Sequence, residues 1–179
     1  MVDPAIHFFS GSLTITGSGT LNAEQGTTAI VNDTTHISPA VIASLADEPM
    51  TGAITIGDEA TVSISSGFPS AVGIGAGSGS GEQPNLDTAE NMLTGSVTIQ
   101  DDAQVTIKNV FTGIGAGSYG NVTGDINVQD SAQVNITLKE GATGAAIGSG
   151  KGGSMNGSIT AATCRRVRSS PTSPSTARA

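Results

Sequence analysis

Carboxylates recur in this sequence at a fixed place. Asp58 with Glu59, Asp101 with Asp102, and Asp130 each follow a short β-branched run, in GAITIGDEA, GSVTIQDDA and GDINVQDSA. Two chemistries suit such a row. Paired acids can hydrolyse a glycosidic bond, but only where unlike surroundings leave one carboxyl protonated and the other ionised. A row of equivalent positions supplies sameness instead. Hard oxygen donors from successive turns suit Ca²⁺, so Asp58, Asp101 and Asp130 are the candidate ligands of a structural calcium. The EF-hand loop and the GGxGxD repeat are both missing from the chain. A third role is conformational, because an aspartate at a corner accepts backbone N–H groups. Recurrence at one corner favours that third role.

Other reactive residues are sparse. His7 and His36 stand far apart with no second ligand at metal-site spacing, which leaves them surface or end-cap roles. GAGSGSG (75–81) and GSGKGGS (148–154) look superficially like phosphate loops. A phosphate loop needs Ser or Thr after its lysine and a strand-to-helix context, whereas Gly152 follows Lys151. No GxSxG sequence marks a serine nucleophile. The expectation is therefore no catalytic residue and no bound cofactor beyond the calcium option.

The elements that hold the acids come from a repeat. GSLTITGSGTLNAE (11–24), GAITIGDEATVSIS (52–65), GSVTIQDDAQVTIK (95–108) and GDINVQDSAQVNIT (124–137) are variants of one fourteen-residue unit, and a fifth copy begins as GSIT at Gly157. Their first glycines are 41, 43, 29 and 33 residues apart, an elastic period of the kind solenoids tolerate. Apolar residues alternate on each side of the acidic corner, as in Val97 and Ile99 followed by Ala103, Val105 and Ile107. Period two with β-branched residues predicts two short strands meeting at the corner. Thr14, Thr55, Thr98 and Asn127 fall on the opposite, outward face, with Thr61, Gln104 and Gln133 on a second.

GIGAG stands at 73–77 and again at 113–117, with a looser AAIGSG at 145–150. These segments are predicted to be the third strand of each coil. Strict alternation would turn Val72, Ile74, Ala76, Ile114 and Ala116 inward and the glycines outward. Gly73, Gly75, Gly113, Gly115 and Gly148 would then form a packing or binding face, since glycine in a strand is explained by close approach or special dihedrals.

Composition fits a narrow apolar interior. The chain has 179 residues, 25 Gly, no Trp, one Tyr and four Phe, so the core rests on Ile, Val, Leu and Ala. Residues 1–163 carry 15 acids and three lysines, a formal −12, and four arginines follow in the last sixteen residues. Such a body repels phosphate backbones, which argues against nucleic acid as a partner. One cysteine, Cys164, allows no internal disulfide, and no apolar run reaches the roughly 20 residues of a membrane span. MVDPAIHFFSG lacks the pattern of a secretory signal.

Three regions are expected. Residues 1–50 hold the first coil and a cap, with GTTAIVND (26–33) as a degenerate third strand and PAVIASLADE (39–48) as a short helix. Residues 51–163 hold the repeated coils. The long insertion at 78–94 contains a helical turn at 86–93 and is the segment expected to lie over a glycine face. Residues 164–179 are a basic tail, disordered or non-native in character.

The repeated GxITIxDxAxVxI followed by GIGAG resembles the glycine-rich repeats of bacterial cell-surface and adhesin-like proteins with parallel β-helices. The matching stretches are 52–64, 71–77, 95–107, 113–117, 124–136 and 144–159. That resemblance implies an extracellular or cell-surface protein engaged in attachment or carbohydrate contact, and it carries over no catalytic residue. The expected fold is all-β, a right-handed single-chain parallel β-helix with about four coils of three strands. The expected function is structural or adhesive: presentation of loops or a flat glycine face to a protein or glycan, or to further copies of the chain. The alternatives are an ice-binding protein, a subunit of a self-assembling filament, and a polysaccharide-degrading enzyme on the same scaffold.

Overall fold

The computed structural model describes residues 4–26, 39–45, 48–68, 70–78, 92–161 and the backbone of 168–169. Fifteen strands follow one another in groups of three. They are β1 Ile6–His7, β2 Ser12–Ile15 and β3 Thr20–Gln25; β4 Ala40–Ala43, β5 Ala53–Ile56 and β6 Thr61–Ser66; β7 Val72–Ala76, β8 Ser96–Ile99 and β9 Gln104–Val110; β10 Thr112–Ala116, β11 Ile126–Val128 and β12 Gln133–Leu138; β13 Ile147–Ser149, β14 Ile159–Ala161 and β15 Arg168–Ser169. Every third strand joins the same sheet. The first sheet runs β1-β4-β7-β10-β13, the second β2-β5-β8-β11-β14 and the third β3-β6-β9-β12-β15. All pairings are parallel, and the chain winds as a right-handed parallel β-helix. Five turns are stacked, because the strands of the first copy and of the short GSIT copy both join the sheets.

Register follows the repeat. Leu13, Ile54, Val97, Ile126 and Ile159 pair in one column, and Leu21, Val62, Val105 and Val134 in another. On the third wall Ile42, Ile74, Ile114 and Ile147 pair likewise. A one-residue slip would send a whole column into water, so burial of one face pins the register. Ile54, Ile56, Ile74, Ile99, Ile107, Ile114 and Ile126 are completely buried. Met50, Leu93, Val122 and Met155 add a fourth ladder of single bridges between the first and second sheets.

Two sequence expectations are corrected. Residues 39–48 were expected to be helical, yet Ala40–Ala43 is a strand held between β1 and β7. Val41 and Ile42 favour extended backbone, and two flanking strands supply the ladder bonds that a lone short helix lacks. The second correction concerns GIGAG. Ile74 and Ala76 belong to the core as expected, but the glycines do not form an open outer strip: Gly73, Gly75, Gly113 and Gly115 are all buried. A Cβ at Gly73 would lie 2.7 Å from Ile107 Cγ2, and one at Gly113 would lie 2.8 Å from Ile136 Cγ2, both core side chains.

The central glycines answer to a different constraint. Gly75, Gly115 and Gly148 pair in one column, with φ of 132°, 139° and 127°. At this φ a Cβ on Gly75 would fall on the carbonyl oxygen of Gly115, and one on Gly115 on that of Gly148. The dihedral breaks the simple alternation, which is why period-two reasoning misplaced the glycines. Ala43 occupies the same column one coil earlier with φ of 128°, a conformation that costs a non-glycine residue about 1–3 kcal/mol.

The proposed strand at 26–33 lies, beyond Gly26, outside the described residues. So does the helical turn at 86–93 apart from Met92 and Leu93, the latter in the bridge ladder. Within the basic tail, Arg168 and Ser169 pair with Asn135 and Ile136.

Two substitutions in the glycine column should act in opposite directions. Gly115→Ala should lower unfolding free energy by about 3 kcal/mol or more, through overpacking and dihedral strain. Ala43→Gly should raise it by about 1 kcal/mol, the relieved strain exceeding the added entropy of the unfolded chain. Urea unfolding of both variants checks this, and similar small losses in the two would contradict the role given to the column.

Candidate functional site

The repeated acids meet in one row. Asp58, Asp101 and Asp130 turn the corner between the second and third sheets with φ of 55°, 59° and 58°. Aspartate enters this left-handed region more readily than most residues. Each carboxylate reaches back one coil. The Gly17 N–H donates to Asp58 Oδ2 at 3.0 Å, the Asp58 N–H to Asp101 Oδ2 at 3.0 Å, and the Asp101 N–H to Asp130 Oδ2 at 3.3 Å. Beside them the Gln100 amide donates to Asp101 Oδ2 at 3.2 Å, and the Gln129 amide to Gln100 Oε1 at 3.3 Å. The row thus ties successive corners together. Among the described residues no group of three or more His, Cys, Asp or Glu is arranged to hold a metal ion.

Inside the stack, hydroxyls continue the same logic. Ser66 donates to Gln25 Oε1 at 3.0 Å, and Ser78 Oγ donates to the Ser70 carbonyl at 2.8 Å while accepting the Ser118 N–H at 3.2 Å. Coils four and five are joined by two side chains that the sequence reasoning overlooked. Asn121 Oδ1 accepts the N–H of Ser154 at 2.9 Å and its hydroxyl at 2.8 Å. Asp125 Oδ1 accepts the hydroxyl of Ser158 at 2.6 Å and its N–H at 3.1 Å. The Ser158 hydroxyl, and then its N–H, hold the Asp125 carboxyl below the ordinary aspartate value of 3.8. Their separation of 33 residues equals the last spacing of the repeat, which was the available signal.

His7 lies at the first coil, where its Nε2 is 2.8 Å from Glu48 Oε2 and its ring stacks on Phe9 at 5.7 Å. His36 lies outside the described residues.

A concave feature beside β10 was also missed. Connections from the third sheet to the first differ in length: residues 67–71 before β7, Phe111 alone before β10, and residues 139–146 before β13. The short middle connection leaves a groove of about 430 Å³. Ser70 lies on one side, residues 139–143 on the other, and Phe111, Ser118, Tyr119 and Lys151 complete it. None of the five singled-out glycines lines this groove. The legible clue was the unequal gap between each second strand and the following glycine segment. Lys151, dismissed with its imperfect phosphate loop, faces this space. Thr112 Oγ1 is, among the described residues, the buried side-chain oxygen without a hydrogen-bond partner, and a Cβ at Gly144 would stand 2.6 Å from it.

Searches against protein-family models, curated proteins and solved structures gave no match.

Two measurements test the coil-to-coil contacts. Asp101→Ala should cost about 1 kcal/mol of stability by leaving the Asp58 N–H without its acceptor. Asp101→Asn should be neutral or slightly stabilising, because Asn keeps an acceptor, suits positive φ and removes one like charge; equal losses in the two would refute the ladder. Asp125 should titrate below the ordinary aspartate value in an NMR pH series, and Ser158→Ala should raise it part of the way back, because the N–H of residue 158 still donates to the carboxylate. Because the folded value is depressed, the contribution of this contact is present above the ordinary value and fades as pH falls through the folded one.

Proposed function

We propose that the chain is a structural module of an extracellular or cell-surface protein, a stiff rod that holds outward rows and inter-strand loops toward a glycan or protein surface. One observation carries the reading. Strict pairing sets Thr14, Thr55, Thr98, Asn127 and Thr160 in a single outward row across all five strands of the second sheet. A repeated polar row on a fixed scaffold offers the same contact several times. Weak individual contacts then add without the entropic cost of ordering the surface. The resemblance of the repeats to adhesin-like solenoids supports the same reading, including its extracellular setting.

A second reading has its own observation. Four of the five residues in that row are threonine, at the coil spacing of roughly 4.8 Å, and flat threonine rows occur in ice-binding solenoids. Asn127 interrupts the row. The interruption matters more to a lattice than to a flexible polymer, so the glycan or protein surface is preferred.

A binding screen of the purified chain against immobilised glycans and surface proteins, run beside reducing-end assays on the same polysaccharides and thermal hysteresis measurements, tests both readings. Binding without released product or hysteresis is the expected result. Released product would sink the structural reading in favour of an enzyme, and hysteresis with ice shaping would replace it with the second.

A further inference from the structure

The groove between residue 70 and residues 139–143 combines three properties that occur together at no other described concavity. It holds two of the only three lysines in residues 1–163, Lys139 and Lys151, on a body whose formal charge is −12. It holds the only tyrosine of the chain, Tyr119, and one of its four phenylalanines, Phe111. Ser70, Ser118 and Thr143 also belong to its lining. Chance placement would spread such rare residues over the surface.

Both rings pack against glycines of the following coil. A Cβ at Gly152 would lie 2.6 Å from Tyr119 Cε1, and a Cβ at Gly144 would lie 2.8 Å from Phe111 Cδ1. Any side chain at either glycine would push a ring aside. The backbone is held as well: the Tyr119 N–H donates to the Lys151 carbonyl at 2.8 Å, and the Phe111 N–H to the Ala71 carbonyl at 2.8 Å. The walls are therefore formed before any ligand arrives, which spares binding the cost of ordering them.

Aromatic faces suit the C–H side of a pyranose ring, hydroxyl groups suit its equatorial OH groups, and paired ammonium groups suit an anion. A volume of about 430 Å³ sits near the small end of ligand sites, about 300–1,000 Å³. We propose that this groove is a subsite for an acidic sugar residue, a uronate whose carboxylate lies between Lys139 and Lys151 and whose ring packs on Tyr119. Elsewhere the acidic body repels such a polymer, so attachment concentrates here. Glu140, also on the rim, accepts a sugar hydroxyl and keeps the site from being a simple anion trap. This proposal rests on the glycan-facing reading above and names its ligand and place.

The test uses the full chain, isotopically labelled and titrated at low salt with a short uronic-acid oligosaccharide, with a neutral oligosaccharide of equal length and with inorganic sulfate. Amide shifts are expected at 111–119, 139–143 and 151–152 with the uronate. Affinity should fall about tenfold or more in the Lys139→Gln, Lys151→Gln double variant and in Tyr119→Ala, and should be about tenfold weaker for the neutral sugar. Unchanged affinity in the lysine double variant overturns the proposal. Shifts mapping to another face overturn it while leaving the glycan-facing reading intact. Sulfate competing as well as the uronate reduces the groove to an anion site and also overturns it. Absence of binding to every saccharide removes both this proposal and the glycan part of the reading beneath it.

Discussion

At Gly75 and Gly115 successive coils approach so closely that a β-carbon would collide with the carbonyl oxygen of the next glycine in the column. That contact sets the terms for the other two walls. Parallel strands hydrogen-bond at about 4.8 Å, and all three sheets must keep that spacing together or the helix would splay. Where the first sheet takes a dihedral that is costly to ordinary residues, glycine at 75, 115 and 148 holds the wall in step without that cost, and Ala43 bears it. The Ile, Val and Ala columns then pack as a thin continuous core. That central cluster is aliphatic; Phe68 is buried outside it, Phe8 packs against it, and the rings of Phe111 and Tyr119 line a groove.

The aspartate corners solve a related problem with a different compromise. Three like charges one coil apart repel, by an amount on the order of 1 kcal/mol per neighbouring pair in water. Each carboxylate nevertheless takes a backbone N–H that the corner would otherwise leave to solvent, and charge-assisted bonds of this kind are among the stronger ones. Positive φ at Asp58, Asp101 and Asp130 limits which other residues can serve. Turn formation therefore explains why Asp58, Asp101 and Asp130 recur at one corner.

Much of the fold was legible because its determinants are local and repeated. Alternation around Val97 and Ile99, the corner at Asp101 and the shared spacing of the copies together specify parallel stacking without any long-range guess. What escaped was decided by neighbours. Val41 and Ile42 look compatible with a short helix until β1 and β7 lie on either side. Gly73 and Gly75 look outward-facing until one dihedral departs from the pleat. The groove was hidden more deeply, since Ser70, Tyr119 and Lys139 come from three coils and no spacing rule links them. Only unequal connections hinted that a gap would open there.

That inequality shows how a solenoid separates its tasks. Strand positions vary only within a narrow range of side chains, because each residue of a column packs against its equivalents above and below, as Leu13, Ile54, Val97 and Ile126 do. Connections can vary, since the cost of a longer loop grows only slowly with its length. One residue before β10 and eight before β13 leave the ladder between those strands in register, with Ile114 opposite Ile147 and Gly115 opposite Gly148. Chemical individuality therefore collects at the corners, where rare side chains can gather without disturbing the stack. A rod built of near-identical coils can in this way carry one distinctive site, placed where a short connection lies between two longer ones.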